Sequence, residues 1–427
     1  MLRGMLCGCV GAILLTSAYT EADEESRVDL SGTVQYSFGQ IVDGATEYGA
    51  IAIDHYWLQT MLGGIGMESW YADRLQIILN LEMEISLPFQ IGDMSGTIFP
   101  QSQRIKSDAY FHHAEGVFHL IDNEMLSLEL GMGYFPYKYN LWSRNLGEYL
   151  FRCRARPPVL NTEFDKAFHR VLGMRLKSTL YKMWTHEVVV SSEKDLAPVF
   201  DYSLSYLTGV SLANMVYAGG GVMLEKVLSI NRELTYPESR NNRYVDNGDT
   251  NYYSFNAVKL MGRLAFDPKP LIGIDIFGPG DLIFYSEAAV LGVENRGIIY
   301  NDIMDRIPVM AGFNIPAFNF VDTVAVEAEW YGSPYRNSNR AVVQSNVPIF
   351  DNAPADEELA DSLHLTEDNI KWSVTLTKTV AERISLAFQV ANDHTKVNRW
   401  NRLNDTADDV LYRPEHWKWM ARARFAF

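Results

Sequence analysis

Trp417-Lys418-Trp419-Met420-Ala421-Arg422-Ala423-Arg424-Phe425-Ala426-Phe427 closes the chain, and its character alternates residue by residue. Trp417, Trp419, Ala421, Ala423, Phe425 and Phe427 fall at one parity, and Lys418, Arg422 and Arg424 at the other. Successive side chains of a strand point to opposite faces, so this stretch has one apolar face and one cationic face. A helix, advancing about 100° per residue, would scatter both sets around its cylinder. The segment reads as a strand.

The same period recurs upstream. Leu75, Ile77, Leu79, Leu81, Met83, Ile85 and Leu87 alternate with Gln76, Asn80, Glu82, Glu84 and Ser86. Leu126, Leu128, Leu130 and Met132 interleave with Ser127, Glu129, Gly131 and Gly133. Val324, Val326, Ala328 and Trp330 do so with Thr323, Glu327 and Glu329, and Ile370, Trp372, Val374 and Leu376 with Lys371, Ser373, Thr375 and Thr377. Ile384, Leu386, Phe388 and Val390 complete the set. Runs of roughly nine to eleven residues match a tilted strand crossing hydrocarbon, whereas soluble sandwich strands average about five or six. Trp330, Tyr331, Trp372, Trp417, Trp419, Tyr134 and Phe427 sit near strand ends, where a membrane barrel carries its aromatic girdles.

Alternating segments fall near residues 29–40, 52–63, 74–88, 107–120, 125–136, 167–177, 183–192, 198–211, 214–225, 253–266, 281–292, 306–315, 321–331, 369–378, 382–391 and 416–427. The count is about sixteen, with fourteen to eighteen as the bracket because the central segments alternate less cleanly. Short connections near 121–124, 178–181, 212–213, 316–320 and 379–381 alternate with long polar ones near 137–166, 226–252, 332–368 and 392–415. That is the arrangement of an up-and-down antiparallel barrel with tight turns at one rim and long loops at the other. The stretch 266–280, with Asp267-Pro268-Lys269-Pro270, is longer than a normal tight link.

Bulk composition agrees. Of 427 residues 47% are hydrophobic and 12% aromatic, and past the first twenty no run of eighteen apolar residues offers a spanning helix. Mean hydropathy is −0.11, below that of helical membrane proteins. A net charge of −16 leaves no basic footprint for nucleic acid.

Arg3, the apolar run Met5 to Leu15 and the small residues Thr16-Ser17-Ala18 read as a secretory signal over 1–18, leaving 19–427 as one barrel domain. Leu6-Cys7-Gly8-Cys9 imitates a lipoprotein box, but the apolar run would then follow the cleavage point. Cys7 and Cys9 leave with the signal, and a lone Cys153 gives no disulfide framework.

With an export signal at one end and a strand ending on Phe427 at the other, the chain resembles bacterial outer-membrane β-barrels of the porin type. The resemblance implies an outer-membrane location in a Gram-negative cell. It also implies that Trp417, Trp419, Phe425 and Phe427 form the C-terminal signal read by the barrel-assembly machinery. Gly131-Met132-Gly133-Tyr134-Phe135-Pro136-Tyr137 running into Lys138-Tyr139-Asn140 and Ser143 to Arg152 is loosely similar to phosphate-selective and other substrate-selective porins, where such a loop folds inward. On that resemblance Arg144, Glu148, Arg152 and Arg154 are expected to line a constriction; the alternative is an external loop packed by Tyr149, Leu150 and Phe151.

The polar parity would face the lumen. Glu82, Glu84, Glu129, Glu327 and Glu329 stand there against Lys371, Arg422 and Arg424, with Glu115, Glu187, Glu287, Arg175, Lys177, Lys259, Arg263 and Lys418 in the same positions on other strands. Charged rings set pore selectivity, but cross-lumen pairing is the better expectation for most of these. Of His112, His113 and His119, the last two share one face of a strand with Glu115, and His113 and Glu115 stand two residue rises, ~7 Å, apart. Single strands rarely close a metal site, so lumen histidines facing water are expected and no metal is assigned. Asp246-Asn247-Gly248-Asp249 reads as a turn, lacking the distal glutamate of a calcium loop, and Asp351 to Asp361 as a solvated acidic loop.

No Gly-x-Ser-x-Gly elbow is present, and no enzymatic site is expected. The expectation is a cofactor-free channel for passive diffusion of small hydrophilic solutes or ions. Its partners are outer-membrane lipid, the assembly machinery, those solutes and, as an option the sequence leaves open, two further copies in a homotrimer. The alternative is a structural or surface-binding barrel with a closed lumen.

Overall fold

The computed structural model describes residues 26–45, 54–86, 106–151, 169–192, 200–230, 243–246, 249–252, 256–273, 276–293, 303–331, 370–398, 407–411 and 413–427. The signal segment 1–18, all three cysteines, Arg152, Arg154, Asn247-Gly248 and the acidic run 351–361 lie outside the described residues.

The first nine strands are β1 (Arg27–Asp43), β2 (Tyr56–Tyr71), β3 (Leu75–Ser86), β4 (Lys106–Asp122), β5 (Leu126–Tyr137), β6 (His169–Leu180), β7 (Trp184–Ser192), β8 (Tyr202–Leu212) and β9 (Val216–Leu228). After a small hairpin of β10 (Arg243–Asp246) and β11 (Asp249–Tyr252) come β12 (Ala257–Phe266), β13 (Phe284–Val290), β14 (Pro308–Ile315), β15 (Thr323–Tyr331), β16 (Ile370–Ala381) and β17 (Ile384–Asn392). A second short pair, β18 (Lys396–Asn398) and β19 (Ala407–Asp409), precedes β20 (Trp417–Ala426). β1 to β9, β12 to β17 and β20 close into one antiparallel barrel of sixteen strands, with β20 pairing both β17 and β1. Closure removes every sheet edge, which is what a strand protein in lipid requires. At the seam the Gly32 N–H donates to the Phe427 carbonyl (2.7 Å) and the Phe427 N–H to that of Gly32 (2.9 Å).

The alternating parities separate as expected. Ile77, Leu79, Leu81 and Met83 are exposed on the outside of β3, as are Leu172, Met174 and Leu176 on β6, Val309 on β14 and Phe425 on β20. No ordinary soluble surface carries so continuous an apolar band, and lipid is the solvent that accommodates it. Aromatics gather toward its two rims. Phe38 stacks on Trp57 (5.6 Å) and meets Trp419 edge-on (5.0 Å) at the long-loop end, while Phe284 and Phe313 stack at 4.4 Å at the short-turn end.

The sixteen segments read from the sequence are the sixteen barrel strands, although β2 runs eight residues past the expected 63 to Tyr71. Four short links are two-residue turns with both central residues at positive φ, Ala72-Asp73, Tyr181-Lys182, Ala213-Asn214 and Phe318-Asn319. Each is closed by an i to i+3 hydrogen bond, such as Met183 N–H to the Leu180 carbonyl (3.0 Å). Their right-handed twist matches the flanking strands. None contains glycine, so the usual sequence mark of such turns is missing. The irregular stretch after β12 lies at this same rim and opens with a short helical turn, Lys269–Ile272. Asp246 and Asp249 are a register pair of the β10–β11 ladder.

Candidate functional site

The first part of the connection after β5 does not leave the barrel. Residues 138–151 turn inward, pack against the inner wall and end in a short 3-10 turn, Tyr149–Phe151. Leu146, Tyr149 and Leu150 join a buried cluster with Val189, Leu207, Met223, Met261, Tyr285 and Met310, inward residues of β7, β8, β9, β12, β13 and β14. The inner wall over these strands is therefore apolar where the loop sits, not polar throughout as the strand pattern implies.

Three wall carboxylates hold the loop backbone, and all are buried, at 1% exposure each for Glu287, Glu327 and Glu329. Glu327 on β15 accepts successive N–H groups from Arg144 (2.5 Å), Asn145 (2.8 Å) and Leu146 (3.1 Å), forming an anion nest within one turn of chain. It also accepts the Tyr285 hydroxyl (2.9 Å) and the Ser373 hydroxyl (3.2 Å). Glu287 on β13 takes the N–H groups of Glu148 (3.0 Å) and Tyr149 (2.8 Å), the Tyr139 hydroxyl (2.5 Å) and the Asn140 side-chain amide (3.0 Å). Glu329 accepts the Tyr149 hydroxyl (2.8 Å), stands 2.7 Å from His394 Nε2, and receives a long bond from the Gly147 N–H (3.5 Å). A buried carboxylate costs several kcal/mol unless donors surround it. The loop backbone supplies those donors, so wall and loop stabilise each other.

Two left-handed residues make the reversal, Gly147 (φ +84) and Glu148 (φ +63). A Cβ at Gly147 would meet Met310 Cε at 2.6 Å and Glu287 Oε2 at 3.2 Å. Glu148 folds back onto its own loop, accepting the N–H groups of Asn140 (2.6 Å) and Tyr139 (3.3 Å), with His169 Nε2 at 3.8 Å. Burial, and then the neighbouring Glu287, push its carboxyl up to about 8, against the opposing pull of Lys138 and those N–H groups. Burial likewise lowers the Lys138 ammonium, which donates to the Ser143 carbonyl.

Of the residues read as a constriction, Arg144 is half-buried on the loop and Glu148 is turned into the loop as an internal clamp. Glu82, Glu84, Glu129, Glu327, Glu329, Lys371, Arg422 and Arg424 all stand at the inward parity. Several are paired there. Glu82 lies 3.1 Å from His112 Nδ1, Glu84 accepts the Tyr110 hydroxyl (3.2 Å), and the Lys371 ammonium donates to the Leu411 carbonyl (2.5 Å). Glu115 takes a two-point contact from Arg175 (2.8 and 3.1 Å) and touches His113 (2.8 Å). A bulge in the β3–β4 pairing, where Asn80 faces His113 but Leu81 faces Phe111, lets His112 join His113 on the lumen side. Strict alternation from the sequence had separated those two. Among the described residues no group of three or more His, Cys, Asp or Glu is placed to hold a metal ion.

Trp419 and Phe425 are on the outer face, and the Phe427 ring covers Gly32, whose added Cβ would lie 2.4 Å from it. Sequence reasoning missed the docking role of Glu287, Glu327 and Glu329. The available signal was their place at lumen parity, and of these three Glu327 alone has no cation facing it across either ladder.

No protein-family model and no curated protein sequence matches this chain. Solved structures with a similar outline include a mutant of Rh. blastica porin (8% identity, TM-score 0.44, covering 94% of this chain and 100% of that one). Others are the outer membrane channel DcaP of Acinetobacter baumannii (12%, 0.44, covering 96% and 100%) and Salmonella typhi OmpF in complex with daunomycin (8%, 0.47, covering 94% and 97%). At identities this low the likeness is one of outline alone.

Proposed function

We propose that the chain is an outer-membrane channel of the porin type, through which small hydrophilic solutes or ions diffuse passively past a lumen narrowed by the loop at 138–151. The observation that carries this reading is the loop itself, anchored across the barrel interior by Glu287, Glu327 and Glu329 instead of extending outside. A sixteen-strand barrel without such an element encloses a wide aqueous lumen, and narrowing it is what gives passage any discrimination. In this proposal Arg144 lies at the constriction, Glu148 keeps the loop's shape, and Arg152 and Arg154 extend the same loop. Trp417, Trp419, Phe425 and Phe427 serve as the assembly signal, residues 1–18 as the export signal, and no catalytic step is assigned.

The competing reading is a structural or surface-binding barrel whose lumen stays shut. It is favoured by the apolar packing of Leu146, Tyr149 and Leu150, which fills part of the interior with side chains. Single-channel conductance in planar bilayers separates the two, with the detergent-purified protein beside a deletion of Arg144–Arg154. Stable ohmic steps that enlarge on deletion are expected. Silence from both, in preparations whose heat-modifiable gel migration shows a folded barrel, refutes the channel and favours the shut barrel.

A further inference from the structure

Beside the descending arm of the loop, on the wall adjoining the β13 anchor, lies a recess of about 260 Å³, whose Arg263 faces Glu287 across the β12–β13 ladder. Its floor is the inner face of β6 to β9 and β12 toward the short-turn rim. Lys138, Lys177, Lys182 and Arg263 line it against one carboxylate, Glu187, so four basic side chains meet one acid and the balance is positive. Among the described residues none of these cations makes an ion-pair contact, although Lys177 faces Glu129 and Glu187 across its ladders and Arg263 faces Glu287.

Arg263 is set into the wall by the absence of side chains. A Cβ on Gly219 would sit 2.6 Å from its Nε, and one on Gly209 3.2 Å from a terminal guanidinium nitrogen. Its guanidinium carbon also lies 5.6 Å from the Tyr139 ring centroid. Bare backbone at two strands thus leaves room for a guanidinium lying along the wall, a planar fork suited to a carboxylate. The other side of the recess is aromatic, with Trp142 from the loop against Tyr217 from β9 at 4.6 Å between ring centroids. Glu187 accepts the Tyr137 hydroxyl (2.8 Å) through one oxygen, so its charge is held back toward β5.

We propose that this recess is a binding subsite for a small organic anion with a flat apolar body, an aromatic monocarboxylate in class. The carboxylate meets Arg263 and Lys177, and the ring lies along Trp142 and Tyr217. Ligand cavities usually run from ~300 Å³ upward, so a recess this size holds one ring and not an oligosaccharide. Inorganic phosphate would leave the aromatic faces uncovered, and an organic cation would meet the wrong sign of charge. The inference rests on the channel reading for the ligand's route of entry, but the binding itself is separable from it.

Titration of the folded protein in detergent with sodium benzoate, followed by tryptophan fluorescence, tests the subsite. Benzylamine and acetate match its body and its charge in turn. A saturable change with benzoate, absent in W142F, is expected. R263Q should weaken it about tenfold or more, as loss of a charge-assisted contact does. Benzylamine should give no saturable change, and acetate should bind at least tenfold more weakly than benzoate. An equal response to benzylamine, or an unchanged affinity in R263Q, overturns the proposal. If R263Q yields no heat-modifiable barrel, K177Q takes its place under the same criteria. Saturable benzoate binding in a protein that conducts nothing would keep the subsite and refute the channel. Ohmic conductance without benzoate binding would do the reverse.

Discussion

Replacing Glu327 with Gln should release the loop while leaving the barrel closed. Glu327 Oε2 accepts Asn145 N–H, Leu146 N–H and the Ser373 hydroxyl, and Oε1 accepts Arg144 N–H and the Tyr285 hydroxyl. Whichever oxygen becomes an amide nitrogen, at least two buried donors then face another donor. Each unsatisfied buried donor costs about 1–3 kcal/mol, and local relaxation recovers part of that. A net loss of about 3 kcal/mol in loop docking is expected, which multiplies the population of undocked loop by roughly 150. The strand ladder is untouched, so the effect belongs to the loop and not to global unfolding.

Labelling at Leu146→Cys reads that population directly, with the native cysteines replaced and a maleimide added to the detergent-solubilised barrel. Leu146 is 1% exposed, so reaction waits on opening of the loop. The Leu146→Cys change weakens docking in both backgrounds alike, and the comparison cancels it. Labelling in E327Q should run on the order of 100-fold faster than in its parent, with unchanged heat-modifiable migration. A rate within about threefold of the parent would show that the nest on Glu327 is not what holds the loop, and the anchoring argument would fail.

Gly147→Ala should loosen the same loop by about 1–2 kcal/mol, since φ +84 disfavours a Cβ and that Cβ would meet Met310 Cε. Faster Leu146→Cys labelling is the measure, and an unchanged rate would contradict it. The pH dependence has a defined sign: the Glu148 carboxyl is raised from 4.5 to about 8, so the docked loop holds its proton where the free loop has lost it. Docking is then strongest below pH ~4.5, weakens as pH rises toward 8 and is level above that; E148Q, compared by the wild-type to variant ratio of channel conductance across pH 5 to 9, should abolish this slope, and parallel curves would refute it. Gly32→Ala should displace the Phe427 ring from the β1–β20 seam and cost about 1–3 kcal/mol by overpacking. It should appear as a lower heat-modification temperature, and an unchanged one would show that the ring moves aside freely.

What the sequence discloses and what it hides have one physical origin. Strands whose outer side meets lipid and whose inner side meets water, such as β3 with Leu79, Leu81 and Met83 against Glu82 and Glu84, show period two plainly. β7 and β9 show it weakly where the loop sits because both faces are apolar there, whereas β8 keeps Ser203 and Ser205 inward. Val188 and Leu224 face outward, while Val189, Leu207 and Met223 face the docked loop. The blurred pattern that left the strand count bracketed was therefore the trace of the loop in the lumen. The positive-φ turns at Tyr181-Lys182 and Ala213-Asn214 lacked glycine and so carried no local mark, and the β4 bulge that brings His112 beside His113 had none either.

The loop contacts were illegible for a different reason. Glu327 binds backbone N–H groups of residues 144 to 146, about 180 positions away, and a backbone amide looks the same at every residue. No side-chain complementarity is needed on the loop, so nothing in Arg144-Asn145-Leu146 announces a carboxylate partner. The wall side is more constrained, because a buried carboxylate without those donors would be costly. Lumen-parity glutamates that lack nearby cations are thus the trace to look for in such a barrel. By that criterion Glu327, which faces Gly312 and Ser373 across its two ladders, points to docked chain, whereas Glu115, gripped by Arg175, does not; Glu287 and Glu329 face Arg263 and Lys371 in register, so only the structure discloses their role.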